Sequence, residues 1–468
     1  MKKYKRICLC LALCLIVGVC AFSFSGCQSY DELLIIYNWE DYIYSKTDLQ
    51  DDFNEYYYAL TGKTVKIRYS TFDTNETMLT RMLKCNTVAD MICPSEYAIQ
   101  KLVNNGLVQK IDDVIDNNIN GEQEKTELKS AIYDNVNSAI YDKVDQVESM
   151  NINDYFIPYM MGTLGIMYNA DLLPENISDY GWGVLWNKTT TGEKIMDELD
   201  GKIYMKDSIR DSYAAAVFYL KEQGRLPAGY ETKSAQELIN DTSPEMVKAV
   251  SAVLKEQKNS GCLKGYEVDF GKEAMVSGAV YVDLAWSGDA MYAIEEAELE
   301  GVTLDYFVPE SGSNIWFDGW VIPTTAQNPT AALYMMSFLN QADVTTLNMM
   351  EIGYTSAVDN TILIDNEDVR DILLEYEYAE IDEETGEYFT DYFDYEVRYP
   401  DYTDETLGVM QDFGDSNKEI TAMWEEVLST DTDLSVIWIT LGAIAIIVLV
   451  FLVIIFIKNH RKRIVKRV

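Results

Sequence analysis

One stretch of this 468-residue chain constrains its fold more than any other: residues 436–457 run for 22 positions without a charge. As a helix the run rises about 33 Å, enough to cross a hydrocarbon core. Lys458, Arg461, Lys462, Arg463, Lys466 and Arg467 follow directly. Such cations stay on the cytoplasmic side. The expectation is a C-terminal transmembrane helix at 436–457, a basic cytoplasmic tail at 458–468 and an ectodomain on the extracytoplasmic face of the cell membrane. A buried core helix is the competing reading, but nothing about such a helix calls for six cations at its end.

The N-terminus points the same way. Lys2, Lys3, Lys5 and Arg6 precede an apolar run, the build of an export signal peptide over 1–26. It closes on Phe24-Ser25-Gly26-Cys27, which resembles a bacterial lipobox with Phe24 where Leu is usual. That makes Cys27 the expected lipidation site, with an uncleaved signal anchor as the alternative. The two ends hold four and six of the 37 cations and no acid, which leaves 27 cations against 77 acids between them. Such a field repels nucleic acid and attracts cations, although a solubilising surface has the same composition. The single histidine, His460, falls in the basic tail. The ectodomain therefore has no Ser-His-Asp triad, no Cys-His dyad and no His-ligated zinc, and no enzyme is expected. Cys85, Cys93 and Cys262 show no metal-type spacing, and no metal or cofactor is expected.

Between the ends, hydrophobic periodicity predicts an α/β fold. Residues 33–37 form an apolar run and 64–69 alternate, with a helical stretch between them carrying Phe53, Tyr56, Tyr57 and Leu60. A β-α-β start implies a parallel sheet. Further strands are expected at 90–93, 165–168, 202–205, 280–286 and 320–323, and helices at 76–84, 97–104, 329–339 and 414–428. Residues 375–405 are built of acids and tyrosines and predict a surface insertion, with a hairpin about 384–387.

Aromatic–carboxylate clusters follow several of these strands: Trp39-Glu40-Asp41-Tyr42, Ser95-Glu96-Tyr97, Trp286-Ser287-Gly288-Asp289 and Trp316-Phe317-Asp318. Singly, each also fits core packing beside a solvated acid. Together, at the carboxyl ends of strands where open α/β sheets bind ligands, they suit an organic cation. Carboxylates meet its ammonium groups, and aromatic faces cover its methylenes and add cation–π attraction.

Tyr37-Asn38-Trp39-Glu40-Asp41-Tyr42-Ile43 resembles the opening motif of the bacterial spermidine/putrescine-binding proteins. The resemblance continues in order through Thr74-Asn75-Glu76-Thr77-Met78, Pro94-Ser95-Glu96-Tyr97, Ile157-Pro158-Tyr159, Trp316-Phe317-Asp318, Ile352-Gly353-Tyr354 and Gln411-Asp412-Phe413-Gly414. It implies a two-lobed periplasmic-binding-protein-like (type II) fold with hinge-crossing strands. On that template the first lobe is 31–154 with 314–362, and the second 155–313 with 363–430. Residues 27–30 and 431–435 are linkers.

The resemblance also implies a pocket. Trp39, Tyr42, Tyr97, Trp286, Trp316 and Tyr354 match its aromatic walls, and Asp318 the acid that grips an ammonium. Asp211 falls at a further acidic position, and Asp41 where putrescine-preferring members place an acid. Ser95 and Gln411 match polar contacts; Glu40 joins them from its cluster. Ser208 departs from the second Asp of spermidine-preferring members, and Asp289 matches the putrescine-preferring ones, so the expected ligand leans to putrescine over spermidine. The implied partners are an ABC permease and its cytoplasmic ATPase, to which the receptor delivers its ligand. The rival readings are a same-fold receptor for another cationic or amino-acid-like solute, a two-carboxylate glycosidase, and an adhesive surface protein.

Overall fold

The computed structural model describes residues 30–85, 87–268, 270–382, 385–393, 400 and 404–429. The signal peptide at 1–26, Cys27, the 431–435 linker, the 436–457 helix and the basic tail lie outside the described residues. Among the described residues no helix is long and apolar enough to cross a membrane.

The chain opens as its periodicity predicts. β1 (Glu32–Trp39) pairs in parallel with β2 (Val65–Phe72) and β3 (Met91–Ile92), in the order β2-β1-β3. The helix Lys46–Thr61 crosses between β1 and β2 and buries Leu49, Phe53 and Tyr57, four residues apart. Leu60 falls beside that line and stays exposed. Gly62 ends the helix in a left-handed conformation, its N–H returning to the Tyr58 carbonyl. A short pair, β4 (Val108–Gln109) with β11 (Ile322–Pro323), completes this first lobe.

The second sheet is organised on β5 (Ile157–Asn169), all of whose residues are buried. Its first half pairs antiparallel with β10 (Ser313–Trp320), and its second half with β8 (Val282–Trp286) and β9 (Leu304–Phe307). Beyond β8 lie β6 (Ile203–Lys206) and β7 (Leu263–Glu267), parallel to one another. The sequence predicts a strand at 165–168, but the strand is 13 residues long and begins at Ile157. Burial of the whole strand removes the alternation that marks a half-exposed one. Pro158 is accommodated because it faces a bulge between Asp318 and Gly319.

Helix Glu367–Glu375, expected with the second lobe, packs instead on Ala342–Ile352, where Val369 and Leu373 bury against Met349 and Leu363. Tyr392 and Phe393 of the acidic segment join that cluster, so the insertion is not wholly a solvated loop. Its hairpin forms between β13 (Glu380–Ile381) and β14 (Tyr388–Phe389), after β12 (Thr355–Ser356). The chain then enters β15 (Leu407–Gly408), parallel to β10, and ends in helix Asn417–Leu428. Cys85, Cys93 and Cys262 are unpaired.

Candidate functional site

A cavity of about 170 Å³ lies where the carboxyl ends of β1, β2, β3, β6 and β8 face β10. Such a volume suits a small solute. Four helices begin at it: Asn75–Lys84, Glu96–Asn104, Ile209–Glu222 and Ser287–Leu299. Bare helix N-termini attract anions. Here each carries an acid in its first turn, respectively Glu76, Glu96, Asp211 and Asp289, and all four acids line the cavity. A helix N-terminus favours the ionised form of such an acid, and each acid that is ionised reverses the sign presented to a ligand.

Asp318 is buried in the cavity wall. β10 holds it in a bridge to Ser95, and it is 5% exposed. The Tyr42 hydroxyl donates to Asp318 Oδ2 at 2.8 Å, while the buried Oδ1 has no hydrogen-bond partner among the described residues. Burial pushes the Asp318 pKa up to about 7, against the pull of Ser95 and Tyr42 and with help from Asp211. Behind it, Glu96 is fully buried. One oxygen accepts the Phe317 N–H at 2.9 Å, and the other has no hydrogen-bond partner among the described residues. Burial pushes Glu96 up to about 8, opposed by the Phe317 N–H and reinforced by Asp318.

Rings close over these acids. Tyr42 packs edge-on to Tyr354 with centroids 5.0 Å apart, and Tyr354 leans on Trp316 at 5.7 Å. Trp39 rests on Phe72 at 4.7 Å. Two glycines make this cage possible. A Cβ at Gly162 would lie 2.5 Å from the Trp316 ring, and one at Gly288 would lie 2.2 Å from the Tyr354 ring. Asp41 holds a left-handed φ of 48° in the turn after β1, a conformation that Asp tolerates better than most residues.

Asp289, Asp211 and Arg210 have partners. The Tyr354 hydroxyl donates to Asp289 Oδ1 at 3.0 Å, and Lys206 Nζ lies 3.6 Å from Asp289 Oδ2. Burial raises the Asp211 pKa, opposed by hydrogen bonds from Ser208 and Trp286 and by the Lys206 charge. The Arg210 guanidinium is stacked between Tyr97 at 3.7 Å and Phe413 at 3.8 Å. It donates to the Gln411 carbonyl at 2.6 Å and pairs with Glu76 at 3.7 Å.

The sequence profile of the bacterial extracellular solute-binding proteins matches residues 49–370. The chain belongs to this family. Among curated relatives, this solute-binding protein is 26% identical over 357 residues to the spermidine/putrescine-binding periplasmic protein of Escherichia coli, covering 76% of this chain and 84% of that one. It is 26% identical over 320 residues to the putrescine-binding periplasmic protein SpuD of Pseudomonas aeruginosa, covering 67% and 75%. The spermidine/putrescine ABC transporter substrate-binding protein of Streptococcus pneumoniae has the same fold, at 24% identity and a TM-score of 0.55, over 85% of this chain and 97% of that one. The periplasmic-binding-protein-like α/β fold follows.

The structure of this solute-binding protein gathers twelve of the thirteen expected residues around one cavity: Trp39, Glu40, Asp41 and Tyr42 after β1; Ser95 and Tyr97 after β3; Asp211 after β6; Trp286 and Asp289 at the end of β8; Trp316 and Asp318 on β10; and Tyr354. Gln411 is the exception. Its side chain turns away and donates to the Glu148 carbonyl at 2.8 Å, and its N–H is held by Asn240 at 2.7 Å. Both backbone groups of Gln411 are already committed, to Arg210 and Asn240, and this fixes the side chain outward. Sequence reasoning placed Glu96 in an aromatic–carboxylate cluster but not among the pocket residues, and it missed Glu76, Asn314 and Lys272. Glu76 stands inside a quoted motif, in the first turn of its helix; Asn314 and Lys272 carry no local signal.

Proposed function

We propose that this protein is an extracytoplasmic receptor that binds a linear polyamine and delivers it to an ABC importer. One observation carries the reading: a buried carboxylate, Asp318, with an oxygen lacking a partner, inside a cage of Tyr42, Trp316 and Tyr354. An ammonium group satisfies that oxygen and lies against aromatic faces, while the methylenes behind it lie against the rings. The polyamine-binding relatives support the choice of ligand. Export and membrane attachment through Cys27 and residues 436–457 belong to the same proposal.

The amino-acid-like alternative needs a cation to hold a carboxylate. Of the two cations that line the cavity, Arg210 is already committed to two rings, a carbonyl and Glu76, which leaves Lys272 alone for that role among the acids of the lining. Within the polyamines the proposal favours putrescine over spermidine. Ser208, where a second acid marks spermidine-preferring members, caps helix Ile209–Glu222 by accepting the Asp211 N–H.

A thermal-shift screen of the purified protein against putrescine, spermidine, cadaverine, agmatine and neutral amino acids tests the reading. Amines should raise Tm in proportion to the logarithm of their excess over Kd, and amino acids should not. A response to amino acids alone sinks it. Calorimetry showing spermidine much tighter than putrescine removes the preference only.

A further inference from the structure

Behind the cavity wall lies a cation of the chain itself. Lys206 ends β6, and its side chain is 1% exposed. Its Nζ lies 2.6 Å from Glu267 Oε1, 3.0 Å from the Val268 carbonyl and 3.6 Å from Asp289 Oδ2. It also lies 4.6 Å from the centre of the Trp286 ring. Burial works against its charge, but Asp283, Glu267 and Asp289 outweigh that and hold it protonated.

A structural ion pair between adjacent strands explains part of this. Lys206 and Glu267 are register partners in β6 and β7, and the second oxygen of Glu267 accepts the Gly271 N–H at 2.8 Å. It does not explain Trp286 and Asp289, both of which line the cavity. An aromatic face and a carboxylate are the two groups an incoming ammonium needs. At this end of the cavity both are engaged from behind by a resident ammonium. Lys272, on the same wall, adds a second positive charge. Asp318, by contrast, has a hydroxyl partner and no ion pair with a cation among the described residues.

We propose that Lys206 determines specificity: it stands in for one ligand ammonium at the Trp286–Asp289 end, so the cavity accepts an amine whose charge meets Asp318 and discriminates against one long enough to place a further ammonium on Trp286. The inference rests on the amine-receptor reading above and deepens it. A ligand ammonium on the open face of Trp286 sits on the order of 8 Å from Nζ. At the effective dielectric of such sites, partly offset by Asp289, the repulsion lowers affinity on the order of tenfold.

Calorimetry on the purified full-length protein with putrescine and spermidine tests this. In the wild type the spermidine Kd should exceed the putrescine Kd by about tenfold or more. In K206M that ratio should fall by about tenfold, with the putrescine Kd changed less than about threefold, and K206R should keep the wild-type ratio. A K206M protein that binds putrescine with an unchanged ratio overturns the proposal. Should K206M fail to fold, the wild type alone decides. Capping one terminal ammonium, as in N-acetylspermidine, should tighten binding relative to spermidine, and equal or weaker binding overturns the proposal. A wild type that binds no amine overturns the receptor reading itself, which separates the two failures.

Discussion

At the scale of single residues, Asp318 and Glu96 set what the cavity does with protons. Both hold protons in the folded state that the unfolded chain has released, since burial moves them from 3.8 and 4.5 to about 7 and about 8. Stability from these groups is therefore full at low pH and is lost as pH rises from about 4 to about 8. D318N should raise the apo-protein Tm most at pH 8 and leave it nearly unchanged only at about pH 3, below the unfolded pKa; a lower Tm at pH 8 contradicts the burial argument. The same variant should weaken putrescine binding by about a hundredfold, because a charge-assisted contact is lost. In the wild type, amine affinity should fall by up to about tenfold per unit as pH drops from 7 to 5, since the ligand needs Asp318 ionised. Calorimetry across that range, with proton release read from buffers of different ionisation heat, checks the sign. Three of the aromatic–acid clusters were legible in the sequence because each follows a strand; the fourth, Trp316-Phe317-Asp318, was expected at a strand end and lies inside β10 instead. Gln411 was not, because hydrogen bonds from Arg210 and to Asn240, both distant in sequence, aim its side chain. Lys206 was not either, since its partners Glu267 and Asp289 are brought beside it only by strand pairing and helix docking.

At the scale of elements, side-chain contacts pin the helices beside the cavity together. Arg210, at the start of helix Ile209–Glu222, stacks on Tyr97 of helix Glu96–Asn104 and on Phe413 of the C-terminal segment. Lys101 reaches Asp412 of that same segment at 2.9 Å. R210A should release this stack and speed amine dissociation by about tenfold or more, read by stopped-flow tryptophan fluorescence, and R210K should not restore it because an ammonium cannot stack as a plane. An unchanged dissociation rate in R210A removes the pin. G288A drives a methyl into the Tyr354 ring and should cost about 1–3 kcal/mol of stability together with most amine affinity. Element positions were readable wherever periodicity was clean, as in helix Asn417–Leu428, which buries Ile420, Met423, Trp424 and Val427 on one face. The fully buried β5 and the packing of helix Glu367–Glu375 were not, because total burial erases alternation and a helix stripe does not name its partner.

At the scale of the whole molecule, the chain carries a formal charge of −40. A field of that sign steers cations toward an acidic cleft and is screened within about 8 Å at physiological salt. The association rate of putrescine should fall severalfold between about 20 and 200 mM salt, with the dissociation rate changing less. A salt-independent association rate would show that the surface charge serves solubility alone.

By itself the sequence determined the class of this protein: an α/β solute-binding chain, apolar at both ends, whose acids stand beside aromatics at strand ends. These follow from local order, which periodicity and motif spacing record. Tertiary structure alone decided which charges remain free for a ligand. Asp318 and Asp289 look alike in the sequence, each a few residues after a Trp. Folding leaves an oxygen of the first without a partner and sets the Lys206 ammonium against the second. Charge compensation depends on distances of a few ångströms between residues far apart in the chain, and only the packed lobes set those distances.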